Sequence, residues 1–184
     1  MKRIVWVVAL VVFLCGCGAD TLDQAMAMRT QLQSSSGCSF DATITADYGD
    51  VLYEFGMQCI TDEVGNLSFT VTAPETIAGI TGTVNDEGGK LTFDDQALMF
   101  ELLADGQVTP VSAPWLLIKT LRGGYLNTCS HTDNGFMVII DDSYEDNALQ
   151  LDIWVSEDNC PLSAEILYDG RRIVSLAVSN FTYL

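Results

Sequence analysis

The sequence predicts a mainly β fold of the α+β kind, a single curved antiparallel sheet of about ten to eleven strands with an N-terminal helix and one internal helix. Three observations predict it. Most of the chain alternates apolar and polar residues with period two, as strands with one wet face do. Turn residues interrupt that alternation at short, regular intervals. Only two segments carry helical spacing.

The first residues, MKR, are basic, and Ile4 to Leu14 form an apolar run that is too short to span a bilayer and matches the core of a secretory signal. Two cysteines follow in FLCGCGAD. Cys17 is preceded by Leu14, Cys15 and Gly16, a leucine followed by small residues, as a lipoprotein-processing site requires. Cys15 has Leu14 directly before it, where a small residue belongs. The expected organisation is therefore a signal peptide over residues 1–16, an acylated Cys17, a tether and N-terminal helix over 17–37, and one binding domain over 38–184. Multiple acyl chains, at about 0.8 kcal/mol per buried CH2, hold such a protein firmly on a membrane. The expected location is the outer face of the cytoplasmic membrane, or the outer membrane where there is one.

The 168 residues from Cys17 onward suffice for one domain with a substantial core. Without Lys2 and Arg3 they carry 6 basic against 25 acidic residues, a formal charge of −19. Such a surface repels nucleic acid and anionic head groups. Any binding to lipid must then go through the anchor or an apolar cavity, and not through a basic face. Export also implies an oxidising compartment, so Cys38, Cys59, Cys129 and Cys160 read as disulfides first.

ADTLDQAMAMRTQLQ has Thr21 as N-cap and Leu22, Ala25, Met26, Arg29 and Leu32 at helical spacing, and it ends in SSSG. In FDATITADYGDVLYEFGMQC, residues alternate on both sides of Asp47-Tyr48-Gly49-Asp50, which reads as a hairpin. With Tyr48-Gly49 as a two-residue loop, Ile44 faces Tyr53, Phe40 faces Met57, and Cys38 faces Cys59. A disulfide across that last pair is worth about 3 kcal/mol on the entropic model. Alternation continues through Leu67, Phe69, Val71 and Ala73, then Ile80 to Val84, Leu91 and Phe93, and ALMFELL. In VTPVSAPWLLIKTLRGG, Ser112 is the expected N-cap, Pro114 sits in the first turn and Gly123 ends the helix. GFMVIID, NALQLDIWVS, PLSAEILYDG and RRIVSLAVSNFTYL complete the strands. The first two of these bring the flanks holding Cys129 and Cys160 to one end of the sheet, which suggests that those two cysteines pair.

Catalytic signals are weak. His131, the single histidine, lies beside Ser130 and Asp133, but sequence neighbours rarely meet triad geometry and no G-x-S-x-G elbow is present. The acidic DDSYEDN (141–147) lacks the spacing of a calcium loop and reads as a solvated turn. No metal, cofactor or enzymatic activity is expected. A long meander that is apolar on one face must be covered by helices, closed, or left hollow. With two helices available, it encloses an apolar hollow unless those helices plug it.

The leading helix before FDATITADYGDVLYEFGMQ, the segment APETIAGITGTV followed by GGKLTFDD, the helix APWLLIKTL, and the closing CPLSAEILYDGRRIVSLAVSNF together resemble the LolA-like and LolB-like lipoprotein carriers. Their relatives include RseB-type sensors and envelope lipid-carrier lipoproteins. The resemblance implies a half-open barrel of about eleven strands with helices in its concave face, where many members bind acyl chains or lipoproteins. It makes Phe55, Phe69 and Phe93 of the sheet and Trp115 and Leu116 of the inner helix candidates to line the hollow. An N-terminal anchor departs from the soluble carriers. The implied ligand is a lipid, an acyl chain or a lipidated partner; an envelope protein partner is the alternative.

Overall fold

The computed structural model describes residues 19–184 apart from 48, 50, 95, 105, 106, 146 and 147. The expected signal, Cys15 and the acylated Cys17 lie outside the described residues. Helix α1 (Ala19–Ser34) leads into β1 (Cys38–Asp47), β2 (Leu52–Thr61), β3 (Leu67–Ala73), β4 (Thr81–Asn85), β5 (Gly88–Phe93) and β6 (Gln96–Phe100). A short hairpin, β7 (Leu103–Ala104) and β8 (Gln107–Val108), and a 3-10 turn over Pro110–Ser112 precede α2 (Ala113–Gly123). Then come β9 (Tyr125–Thr132), β10 (Gly135–Asp141), β11 (Gln150–Ser156), β12 (Pro161–Tyr168) and β13 (Arg171–Tyr183).

Eleven strands form one antiparallel sheet in the order β6-β5-β4-β3-β2-β1-β13-β12-β11-β10-β9, which is not closed into a barrel. Each half is a meander of consecutive hairpins. The halves join where the first and last strands pair, Ile44 opposite Leu176 and Ala42 opposite Val178. Period-two burial follows the sequence: positions 38, 40, 42, 44 and 46 of β1, 151, 153 and 155 of β11, and 174, 176 and 178 of β13 are all buried on the inner face.

Several local readings are corrected. Register in the β1–β2 hairpin pairs Ile44 with Phe55, Phe40 with Cys59, and Cys38 with Thr61, two residues away from that expected. Its loop is longer than Tyr48-Gly49, and the Asp47 carboxylate turns it by accepting from Gly49 N at 2.8 Å. Thr21 lies inside α1, and the buried stripe of that helix is Thr21, Ala25, Met28 and Leu32, while Leu22 and Met26 face water. Ser112 precedes α2 without capping it by its side chain; its hydroxyl donates to Thr109 O at 2.7 Å. YLNTCSHT, for which no element is expected, is the edge strand β9, and ALMFELL divides between β6 and β7.

Helix α1 packs on α2 and β9, and α2 packs on β10 and β13. Two arginines tie the helix ends together. Arg29 donates from Nε to Leu121 O (2.8 Å) and from Nη2 to Gly124 O (2.9 Å). Arg122 donates to Leu32 O (2.9 Å) and to Glu63 O (2.7 Å), which ties both helices to the β2–β3 turn. These groups occupy carbonyls that a helix C-terminus leaves unpaired. Chain entry into β1 is equally constrained: Gly37 has φ +144°, and a Cβ there would stand 2.0 Å from Thr61 O. Gly37→Ala is therefore expected to destabilise the fold by about 1–3 kcal/mol. Urea unfolding of the two proteins side by side checks it, and equal midpoints would refute it.

Candidate functional site

The inner face differs between the two arms. Over β9–β13 and β1 it is filled: Leu117, Ile118 and Leu121 of α2 lie against a floor that includes Val138, Ile153, Ile166 and Leu176, all within 2% of full burial. Over β2–β6 no helix lies on the outermost strands. Register places Cys59, Phe69, Gly82, Leu91 and Leu98 in one cross-strand row on this face. The Phe69 ring sits on Gly82, where a Cβ would meet Cζ at 2.4 Å, and it is buried. Towards the β1–β2 turn the face is open: Tyr53, Phe93 and Leu98 are 54%, 58% and 64% exposed, and Phe55, Ile80 and Leu91 are partly buried beside them.

The residues expected to line a hollow are thus distributed over two settings. Trp115 and Leu116 are buried in the core and wall a cleft of about 100 Å³ with Leu102, Val108, Ser112 and Leu149. Phe69 is buried, Phe55 is intermediate, and Phe93 is exposed on the bare arm. The enclosed hollow itself is largely plugged by α2, because 100 Å³ is well below the roughly 300 Å³ at which small-molecule sites begin. Larger depressions lie elsewhere. One of about 430 Å³ on the outer face of β2–β5 is lined by Ser68, Thr70, Thr81, Thr83 and Thr92 together with Gln58, Ile60 and Lys90.

Beyond Trp115 on the other side is a cleft of about 240 Å³, bounded by Gln33, Gly65, Asn66, Asp86, Lys119 and Arg122. Lys119 Nζ stands 4.7 Å above the Trp115 ring and 3.0 Å from Asp86 Oδ1. The β2–β3 turn that forms its rim is organised by Asp62. Slight burial opposes ionisation of this carboxyl, but bonds from Asn66, Gly65 and Val64 outweigh it and hold the group below the usual carboxylate range. Helical periodicity had marked this helix for its apolar face only; Lys119 and Arg122 were not singled out.

All four cysteines in the described residues are free thiols. With Thr61 opposite Cys38, the expected Cys38–Cys59 bridge is not formed; Cys38 N instead donates to Thr61 Oγ1 at 3.0 Å. Cys129 on β9 and Cys160 in the β11–β12 turn have β10 and β11 between them, so the expected second bridge is not formed either. Burial raises all four thiols, so none is poised as the thiolate a nucleophile needs. His131 is exposed on the edge strand opposite Phe136. Asp142, in the acidic turn, accepts from Leu149 N at 2.8 Å, and among the described residues no group of His, Cys, Asp and Glu is placed to hold a metal ion.

No family model matches the chain, and no curated protein matches it. Solved structures do share its fold. A DUF1329 family protein from Desulfovibrio piger superposes with a TM-score of 0.50 at 12% identity, over 88% of this chain and 90% of that one. A LolA superfamily protein from Nitrosomonas europaea gives 0.48 at 12% identity, over 87% and 93%. The lipoprotein LppX from Mycobacterium tuberculosis gives 0.43 at 12% identity, over 88% and 93%. The likeness to the Desulfovibrio protein is one of fold alone, which in this chain is one open antiparallel sheet of eleven strands with an N-terminal and an internal helix.

Thiol burial has a direct readout. In reduced protein, Ellman's reagent is expected to titrate Cys129 and Cys160, which are partly exposed, before unfolding, and Cys38 and Cys59, each 1% exposed, only in denaturant. Four equally fast thiols would contradict this packing.

Proposed function

We propose that this chain is a lipid-anchored protein of the cell envelope that holds a lipid, an acyl chain or a lipidated partner on the inner face of its sheet, without catalysis. The observation that carries it is the bare arm. Tyr53, Phe93 and Leu98 are exposed on the face that elsewhere forms the core. A contiguous apolar surface of this kind in a strongly acidic protein marks a binding site. An acyl chain laid along it removes apolar area from water on both partners, at roughly 0.8 kcal/mol per CH2 of chain. Phe55 and Phe93 form the outer part of that track, Phe69 its buried floor, and Trp115 and Leu116 its inner end. Displacement of α2 would lengthen the 100 Å³ cleft beside them. Residues 1–16 serve as signal, Cys17 carries the acyl chains, residues 17–37 give tether and helix, and 38–184 form the binding domain. The protein then stands on the outer face of the cytoplasmic membrane, or on the outer membrane where there is one.

A second reading, a scaffold or regulator for an envelope protein such as a cell-wall or germination enzyme, is favoured by one observation. Edge strand β6 exposes Leu98 on one face and Met99, 71% exposed, on the other. An unpaired edge with apolar residues on both sides suits addition of a strand from a partner.

Two measurements test the first reading. A fluorescent fatty acid is expected to bind the domain, and the double variant Phe93→Asp, Leu98→Asp to weaken that binding by on the order of tenfold or more, about 1.4 kcal/mol per factor of ten. Both positions are exposed, so the thermal midpoint should barely move. Unchanged uptake would sink the proposed track. Cys17→Ser is expected to move the full-length protein from the detergent to the aqueous phase in phase separation; retention in detergent would remove the anchor from the account.

A further inference from the structure

We infer that the cleft between α2 and the turns at residues 62–66 and 85–88 is a head-group site, and that the ligand is an amphiphile with an anionic head, a carboxylate or a phosphate. This inference rests on the lipid reading above and adds to it the chemical class of the ligand.

The argument starts from the scarcity of positive charge. Outside the leader the chain has six basic residues, Arg29, Lys90, Lys119, Arg122, Arg171 and Arg172. Arg172 pairs with Glu165 at 2.7 Å on the sheet surface, and Arg29 is taken up by the carbonyls of Leu121 and Gly124. Two of the remaining cations, Lys119 and Arg122, line this one cleft of about 240 Å³, with Asp86 as the acid among its lining residues. A chain with 25 acidic residues has thus gathered two cations around a concavity at one end of its apolar face. Gln33 and Asn66 add side-chain amides to the same rim.

Contiguity with the apolar region is the second observation. Trp115 and Lys119 border both this cleft and the 100 Å³ cleft beside α2, whose other walls are the apolar Leu102, Val108, Leu116 and Leu149, with Ser112 and Asp142 at its polar side. A single ring therefore separates a cationic compartment from an apolar one, with the Lys119 ammonium lying over it. Two such compartments sharing one wall match a ligand with a charged head joined to an apolar chain. The existing partner of Lys119 is weakly held: the lysine side chain is 46% exposed and the Asp86 side chain 81%, and an exposed pair of this kind contributes little. An incoming anion can replace Asp86 without uncovering a buried charge. Arg122 already spends two N–H groups on Leu32 O and Glu63 O, which fixes its guanidinium at the rim and leaves its charge uncancelled.

The test compares pyrene-labelled hexadecanoic acid with its methyl ester, two probes with the same chain that differ in head-group charge. The acid is expected to bind about fivefold more tightly at low ionic strength, the order of one exposed ion pair, and the preference to fade as salt is added. Lys119→Glu should abolish the preference, read as the ratio of acid to ester affinity in one protein, so that any loss common to both probes cancels; a ratio unchanged by the substitution would overturn the assignment. Equal binding of acid and ester by the unaltered protein would overturn the head-group site and leave the lipid reading standing. Binding of neither probe would overturn both. Inorganic phosphate, which has charge without a chain, should not displace the acid; displacement would mean a site for free anions and would overturn the amphiphile.

Discussion

The pairing of β1 with β13 is the constraint on which the rest of the structure depends. These strands are at opposite ends of the domain, Cys38 standing opposite Tyr183, yet they lie side by side in the middle of the sheet. Closing a loop of that length costs about 4 kcal/mol of chain entropy beyond a constant. The seam offsets it with a ladder from Cys38 to Ala46 and with Ala42, Ile44, Val174, Leu176 and Val178 buried on the inner side. Without that ladder, β1–β6 and β9–β13 would be two separate meanders, each with an additional exposed edge and half a core. The seam also brings the last residues to the start of the sheet, where Leu184 O accepts from Ser36 N and Leu184 N donates to Gly37 O. This fixes the end of α1, and with it the partner on which α2 packs.

The difference between the two arms follows from that seam. Both helices are adjacent in space to the β9 end, α1 through Ala25, Met28 and Leu32, α2 through its contacts with β10 and β13. An inner face eleven strands wide cannot be covered by two helices. On β3–β5 the chain partly compensates with glycine: Phe69 folds over Gly82 and Phe100 over Gly89, so each ring is shielded by the strand beside it. That device runs out at Leu91 and Phe93, which have Leu98 and Gln96 of the edge strand as their outer neighbours. The exposed apolar strip is therefore a consequence of architecture, and its occupation by Phe93 and Leu98, 58% and 64% exposed, is what argues for a ligand.

Most of the sheet was legible because period-two alternation reports which face a residue occupies. It does not report which residue stands opposite. A slip of two residues preserves every face assignment, so the pairing of Ile44 with Tyr53 and that with Phe55 are equivalent to the pattern. The choice rested on the turn, where Asp47 and a longer loop replaced the two-residue one, and the cysteine pairing inferred from that register was lost with it. Strand β9 shows no clean alternation in YLNTCSHT, because a register shift opposite Ile139/Ile140 brings Leu126 and Cys129, three residues apart, against the core. The stripe of α1 was displaced because Leu22 and Met26 satisfied helical spacing as well as Thr21, Ala25 and Met28 do. The central seam left no local trace, since nothing in RRIVSLAVSNFTYL names β1 as its neighbour. The phenylalanines of the candidate track were legible from alternation and family resemblance; Lys119 and Arg122 were not, because their meaning comes from the turns packed against them.

Anchor and binding face also constrain one another. Helix α1 is already formed at Ala19, two residues after Cys17, and two residues span at most about 7 Å. With Cys17 acylated, the start of α1 is therefore held at the membrane surface. Helix α1 packs on α2 and β9, so the filled arm is the one nearest the anchor and the bare arm β2–β6 is at the far side of the sheet. A surface of net negative charge keeps the rest of the domain off anionic lipid. On the proposed acylation of Cys17, the bare strip is presented away from the bilayer, which suits the proposed binding of an amphiphile or a partner from the surroundings better than extraction of lipid from the same membrane.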